Sequence, residues 1–256
     1  NIPLTSPEFG ENMRFKHMIQ SNVCNNVVAP APDPGERSTK DTLFRAAVCA
    51  FAEKGFAAAT VREICARAGA NVAAVNYHFG SKEKLYEAVL DFVMAGPGER
   101  PAQAASCAGP PEARLAAYVR AFVRGIYQAR EGFEQCQAGS VFLFEMARPS
   151  PGLDQVVERY IRPDAEALVN ILVELLGPAA NPGTVRFCAE SLVGQLLYRC
   201  TLWPISQRLA SGLALDQAWM DDLAAHVIRF SLAGIAAVRR DHAPDVPPTA
   251  GGIREP

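Results

Sequence analysis

The sequence predicts an all-α protein in two folded segments, and three observations carry that expectation. Apolar residues recur at 3.6-residue spacing in two stretches, residues 36–95 and 111–240. Neither stretch shows the alternation of a half-buried strand, and there is no internal repeat or phosphate-cradling Gly-rich loop after a strand. Helix starts are marked by Ser, Thr, Asn or Pro and helix stops by Gly. Around them, residues 1–35 and 241–256 are expected to be a disordered arm, or a remnant of cloning, and a disordered tail, since both are rich in Pro or Gly and without periodicity.

In the first segment, Ser38 or Thr39 caps a helix whose stripe is Leu43, Phe44, Ala47, Val48 and Phe51, and Gly55 ends it. Thr60 with Glu63 three residues on reads as a capping box for a short helix that stops at Gly69. Asn71 caps a helix of about eight residues, Val72 to Phe79, and Ser81 caps another with Leu85, Val89, Phe92 and Val93 inward. In the second segment, Pro111 opens a helix with Leu115, Tyr118, Val119, Phe122 and Ile126 on one face. The run Val141 to Phe144 follows, then a long pattern from Asp154 to Leu176 kinked at Pro163, then helices from about Pro182 to Trp203 and from about Asp216 to Arg239.

Composition bounds the function. The chain has 256 residues, 49% hydrophobic, 20% charged and 8% aromatic, so disorder throughout is excluded. Its 25 Lys and Arg against 27 Asp and Glu give a formal charge of −2, which excludes a general polycation; a nucleic-acid site must be local. The modest charged share hints at surface hidden in a second copy. No window reaches the roughly 18 apolar residues of a spanning helix, and the N-terminus lacks the order of a secretory signal, so a cytoplasmic protein without membrane contact is expected. The seven cysteines, Cys24, Cys49, Cys65, Cys107, Cys136, Cys188 and Cys200, show no C-x-x-C pair, which supports neither a disulfide framework nor a zinc site. Cys49, Cys65 and Cys188 read as buried, inert thiols. No cofactor and no metal is expected.

The two short helices joined by Ala68-Gly69-Ala70-Asn71 form a helix-turn-helix pattern, whose second helix enters a DNA major groove. The residue types suit that use. Ala73 and Ala74 are small enough for close approach of the backbone, and Asn76 carries the paired donor and acceptor that read adenine. Tyr77, His78 and Lys82 stand at the far end, where their polar groups reach phosphates. Thr60 and Arg62 lie at a helix N-terminus, which favours an anion. Val75 and Phe79 read as core. Residues 36–92 hold eight Lys and Arg against seven Asp and Glu, so bulk charge does not decide; the placement of Arg62, Arg67, Lys82 and Lys84 around the turn does.

The stretch Phe51 to Phe56, followed by TVREICARAGANVAAVNYHFGSKEKLY from Thr60 to Tyr86, resembles the N-terminal domain of the TetR family of transcriptional regulators. The resemblance implies phosphate-side contacts by Thr60, Arg62, Asn71, Tyr77, His78 and Lys82, and base-facing positions for Val72, Ala73, Ala74 and Asn76. Many relatives carry Tyr where this chain has Asn76. Residues 187–195 and 226–234 are similar to the C-terminal domain of the CecR-like branch of that family.

The last two helices are apolar over much of their circumference. Leu192, Val193, Leu196 and Leu197, with Leu223, Val227, Phe230, Ser231 and Gly234, are candidates for a four-helix contact across a two-fold axis, and a homodimer is expected. The resemblance also implies an effector cavity. Its candidates are the aromatics Phe142, Tyr160, Tyr198 and Trp203, interleaved with the polar Glu145, Arg148, Gln195 and Arg199. The expected fold is thus an N-terminal helix-turn-helix domain of three helices at residues 36–95, plus a larger dimerisation and ligand-binding domain at residues 111–240. The expected function is sequence-specific DNA binding at a palindromic operator, with repression relieved by a small-molecule effector. The sequence leaves two alternatives: a dimeric helical interaction protein without specific DNA binding, and an enzyme in the C-terminal segment, although no nucleophile is paired with a base by any motif.

Overall fold

The structure, a computed structural model, describes residues 38–96, 98–128, 135–209 and 216–241. The expected arm and tail lie outside the described residues. In chain order the helices are α1 (Thr39–Ala58), α2 (Val61–Ala68), α3 (Val72–Phe79), α4 (Lys82–Ala95), α5 (Pro101–Ala104), α6 (Pro111–Tyr127), α7 (Gln135–Ala147), α8 (Leu153–Val156), α9 (Arg162–Leu176), α10 (Pro182–Thr201), α11 (Trp203–Leu209) and α12 (Gln217–Asp241). No strand occurs among the described residues, and no helix there is long and apolar enough to cross a membrane.

The helices form two compact units. The first holds α1 to α4 with α7, α8 and α11; the second holds α5, α6, α9, α10 and α12. Helix α7 packs on α1 and α4, so an element placed by position in the C-terminal segment is part of the N-terminal unit's packing.

The core of the first unit comes from the expected stripe. Leu43, Ala47, Val48 and Phe51 of α1 are buried with Ile64, Val75, Leu85 and Val89. Phe51 and Tyr86 meet edge to face, with ring centroids 4.7 Å apart. Gly55 adopts φ 71° and ψ 174°, a conformation open to Gly and strained for other residues, and this turns the chain at the end of α1. Cys65 is buried and its thiol is pushed above the usual range by that burial, whereas Cys49 and Cys188, also expected to be buried, are half-buried.

The second unit packs Leu115, Tyr118 and Val119 of α6 against Leu168, Ile171 and Leu172 of α9, Leu192 and Leu196 of α10, and Val227 and Ile228 of α12. The buried Tyr127 hydroxyl donates to the Leu196 carbonyl at 2.6 Å. Between α8 and α9 the residues Val157–Ile161 form a π-helical turn. Pro163 explains it: with no N–H to donate and a ring that crowds the preceding turn, it makes the ladder shift register ahead of it. The Tyr160 carbonyl is met from outside by the Arg100 guanidinium at 2.9 Å, and Arg100 also pairs with the buried Asp164. Pro101–Ala104, within the Pro- and Gly-rich break between the two periodic stretches, forms a single helical turn that the Ala102 N–H ties to Asp164 at 3.0 Å.

Candidate nucleic-acid interface

Local signals build the α2-turn-α3 unit. Thr60 caps α2, its hydroxyl accepting from the Glu63 N–H at 3.2 Å, while the Glu63 carboxylate meets Lys54 at 2.7 Å. Gly69 takes the left-handed conformation, φ 63° and ψ 28°, and closes α2. Asn71 caps α3 through its Oδ1, which accepts from the Ala73 N–H at 3.0 Å. Gly80, at φ 87°, closes α3 by donating to the carbonyls of Asn76 and Val75.

Helix α3 turns one residue fully inward, Val75. Asn71, Val72, Ala73, Asn76 and Tyr77 are exposed, and Ala74 and His78 are half-buried. Tyr77 is 85% exposed and touches the His78 imidazole edge to face, with centroids 4.9 Å apart. Thr60 and Arg62 are exposed at the start of α2. Lys82, at the start of α4, is half-buried, with Nζ 4.5 Å from the centroid of the Phe56 ring. A short helix thus presents small and amide side chains outward, flanked by hydroxyl, imidazole and cationic groups, which is the chemistry that reads base edges and grips phosphates.

One expected cation is otherwise engaged. Arg67 donates through both terminal nitrogens to the two carboxylate oxygens of Glu53 on α1, each at 2.8 Å, so it serves as a strut between α1 and α2. The guanidinium holds the Glu53 carboxyl below the usual carboxylate range. Fourteen residues separate the two, and no local spacing signals the pair.

The eight residues named for an effector site do not gather in one unit. Phe142, Glu145, Arg148 and Trp203 belong to the first, and Tyr160, Gln195, Tyr198 and Arg199 to the second. The side chains of Arg199 and Trp203 lie outside what is described. Glu145 is taken up by the fold: 1% exposed, its carboxylate accepts from the Tyr86 hydroxyl at 2.8 Å and from the Ser150 N–H and hydroxyl at 2.9 Å each. Phe142 is half-buried and Arg148 is exposed just beyond α7. Tyr160 is half-buried in the π turn, with the guanidinium groups of Arg100 and Arg159 5.1 and 5.4 Å from its ring centroid. Gln195 donates to the Ser191 carbonyl at 3.2 Å, and Tyr198 is exposed. Of the candidate dimer residues, Leu192, Leu196, Val227 and Ser231 are inside the second unit, while Phe230 and Gly234 face outward; the sequence reading missed Phe187, which is 63% exposed.

Residues 43–89 match the model of the bacterial regulatory proteins of the tetR family, and residues 111–235 match the C-terminal domain of the HTH-type transcriptional dual regulator CecR. The dual regulator CecR of Shigella flexneri is 31% identical over 170 residues, which is 64% of this chain and 75% of that protein. The chain belongs to the TetR family of bacterial transcriptional regulators. This regulator is also 34% identical over 89 residues to the repressor NicS of Pseudomonas putida, covering 35% of this chain and 42% of NicS. Its fold is shared with FadR of Bacillus subtilis, solved with stearoyl-CoA, at a TM-score of 0.55 and 17% identity over 76% of this chain and 98% of FadR.

Proposed function

We propose that this TetR-family regulator is a homodimeric repressor that binds a palindromic operator and is released from it by a small-molecule effector. The observation that carries the DNA-reading part is the division of α3: Val75 anchors it, and Val72, Ala73, Ala74, Asn76 and Tyr77 are left on the side away from the core or at its margin. In this reading Val72, Ala73, Ala74 and Asn76 face bases, and Thr60, Arg62, Asn71, Tyr77, His78 and Lys82 hold the phosphate backbone. A two-fold operator needs two recognition helices about 34 to 36 Å apart, hence two copies of the chain. The exposed Phe187, Tyr198 and Phe230 on α10 and α12 favour those helices as the surface between copies.

The effector acts on the second unit by binding better to the form whose two recognition helices no longer match successive grooves. The protein works by binding, in the cytoplasm, with no catalytic step. NicS is described as a repressor, and FadR holds an acyl-CoA in the same fold; both make a ligand-released repressor the reading of choice.

The test is selection of genomic DNA by the purified protein at fixed salt, followed by titration of the best site across ionic strength. A palindrome bound by a dimer, with affinity falling steeply as salt rises, supports the proposal. Weak binding, equal on all DNA, overturns it.

A further inference from the structure

Behind the interface, a buried carboxylate is connected to a cation on the DNA-facing side. The carboxylate of Glu145 on α7 holds the Tyr86 hydroxyl at 2.8 Å. The Tyr86 ring lies 4.9 Å from the Phe56 ring, centroid to centroid, at an interplanar angle of 36°. Over Phe56 stands the Lys82 ammonium, 4.5 Å from the ring centroid. A second contact from α7 reaches the same place. The ring of Phe144 lies so close to Gly55 that a Cβ there would come within 3.0 Å of it, and Gly55 is the chain neighbour of Phe56. Helix α7 therefore constrains Phe56 twice, through the tilted Tyr86 ring beside it and through the preceding backbone.

We propose that Phe56 is a positioning residue for DNA binding, its ring face holding the Lys82 ammonium ready for a backbone phosphate, with α7 setting the ring through Tyr86 and Gly55. This deepens the reading above and rests on Lys82 being a phosphate contact. The chemistry suits the role. A lysine has a flexible four-carbon stem and loses rotamer freedom when it grips a phosphate, so a site that orders it beforehand lowers that cost. An aromatic face attracts an ammonium through its quadrupole, and an ammonium with three donors that faces a ring still has donors for a phosphate oxygen. A displacement of α7 would be felt at Lys82 through the same contacts.

The test uses the full chain and the operator recovered by selection. Affinity is titrated over ionic strength for the parent protein and for Lys82→Gln, Phe56→Leu and Phe56→Tyr. Lys82→Gln is expected to lower the slope of log affinity against log salt by about 0.9, one phosphate contact. Phe56→Leu is expected to weaken binding by about threefold to tenfold, the scale of a cation–π contact, and to add little when combined with Lys82→Gln. Phe56→Tyr keeps the ring and restores parental binding. In the protein without DNA, the ring face shields the ε-methylene protons of Lys82, so their NMR signals are displaced upfield; Phe56→Leu abolishes the displacement and Phe56→Tyr retains it.

Absence of that displacement in the parent protein overturns the proposal, as does a Phe56→Leu variant that binds with unchanged affinity and slope while Lys82→Gln is weakened. Should Phe56→Leu fail to fold, Phe56→Met, which keeps the bulk without a ring, decides: loss of the upfield displacement with weaker operator binding supports the proposal, and unchanged binding overturns it. If Lys82→Gln binds as the parent does, this proposal falls while the selected operator keeps the regulator reading intact. If no operator is recovered at all, both fall.

Discussion

Arg67 on α2 and Glu53 on α1 face each other through two hydrogen bonds of 2.8 Å, a bidentate pair that ties the first helix of the helix-turn-helix to α1. The pair makes stability depend on acidity. The folded Glu53 carboxyl is held below its ordinary value, chiefly by the hydrogen bonds from Arg67, so its contribution is complete above the unfolded value of about 4.3 and is lost as pH falls through the folded one. Both side chains are partly exposed, so Glu53→Gln is expected to cost only about 1 kcal/mol at pH 7. Urea unfolding from pH 7 to pH 3 checks it: the gap between the parent and Glu53→Gln should narrow on the acid side.

Removing the Tyr86 hydroxyl leaves the buried Glu145 carboxylate with Ser150 as its remaining hydrogen-bond donor. Tyr86→Phe is expected to destabilise the protein by about 1.5 to 3 kcal/mol, the range for losing a hydrogen bond to a charged group. Equilibrium urea unfolding measures it, and a loss under about 0.5 kcal/mol would show that the carboxylate is satisfied without the phenol.

Tyr77 and Val75 are two positions apart on α3, and their substitutions should have opposite signatures. Tyr77→Ala removes a side chain that is 85% exposed, so stability should change by less than about 0.5 kcal/mol while operator binding drops. Val75→Ala removes fully buried methyl groups and should cost about 2 kcal/mol. Thermal unfolding beside a DNA-binding titration separates the two effects.

Gly55 and Gly69 both carry positive φ, at 71° and 63°, but their surroundings differ. A Cβ at Gly69 meets nothing within 4 Å, so Gly69→Ala should cost only the left-handed backbone penalty, about 1 to 2 kcal/mol. A Cβ at Gly55 comes within 3.0 Å of the Phe144 ring in a backbone region nearly closed to other residues. Gly55→Ala should therefore be the more damaging variant in a chemical-denaturation comparison, and equal losses would argue against the contact with α7.

Much of the α2-turn-α3 unit was legible in the sequence because its information is local. The Asn71 cap, the left-handed Gly69 and the Gly80 stop all lie within one turn of the helix ends they define, so α3 falls on Val72–Phe79 as expected. Val75 falls inward as the 3.6-residue period of that helix requires, while Phe79, expected in the core, is half-buried. Glu145 shows where this logic ends. A carboxylate among aromatics in the sequence suggests a pocket, yet its partner Tyr86 is 59 residues away and only packing brings the two together. Arg67 was expected among the cations around the turn, and Glu53 claims it across 14 residues.

What the sequence determined by itself was the all-α class, the helix-turn-helix and its outward-facing side chains, since periodicity, caps and glycine conformations act over a few residues. The tertiary structure alone decided that α7 packs with the first unit, that Glu145 is a buried tether, and which apolar residues of α10 and α12 stay at the surface. An amphipathic stripe specifies that a face will be buried and carries no label for its partner; that choice is made by the packing of the whole chain.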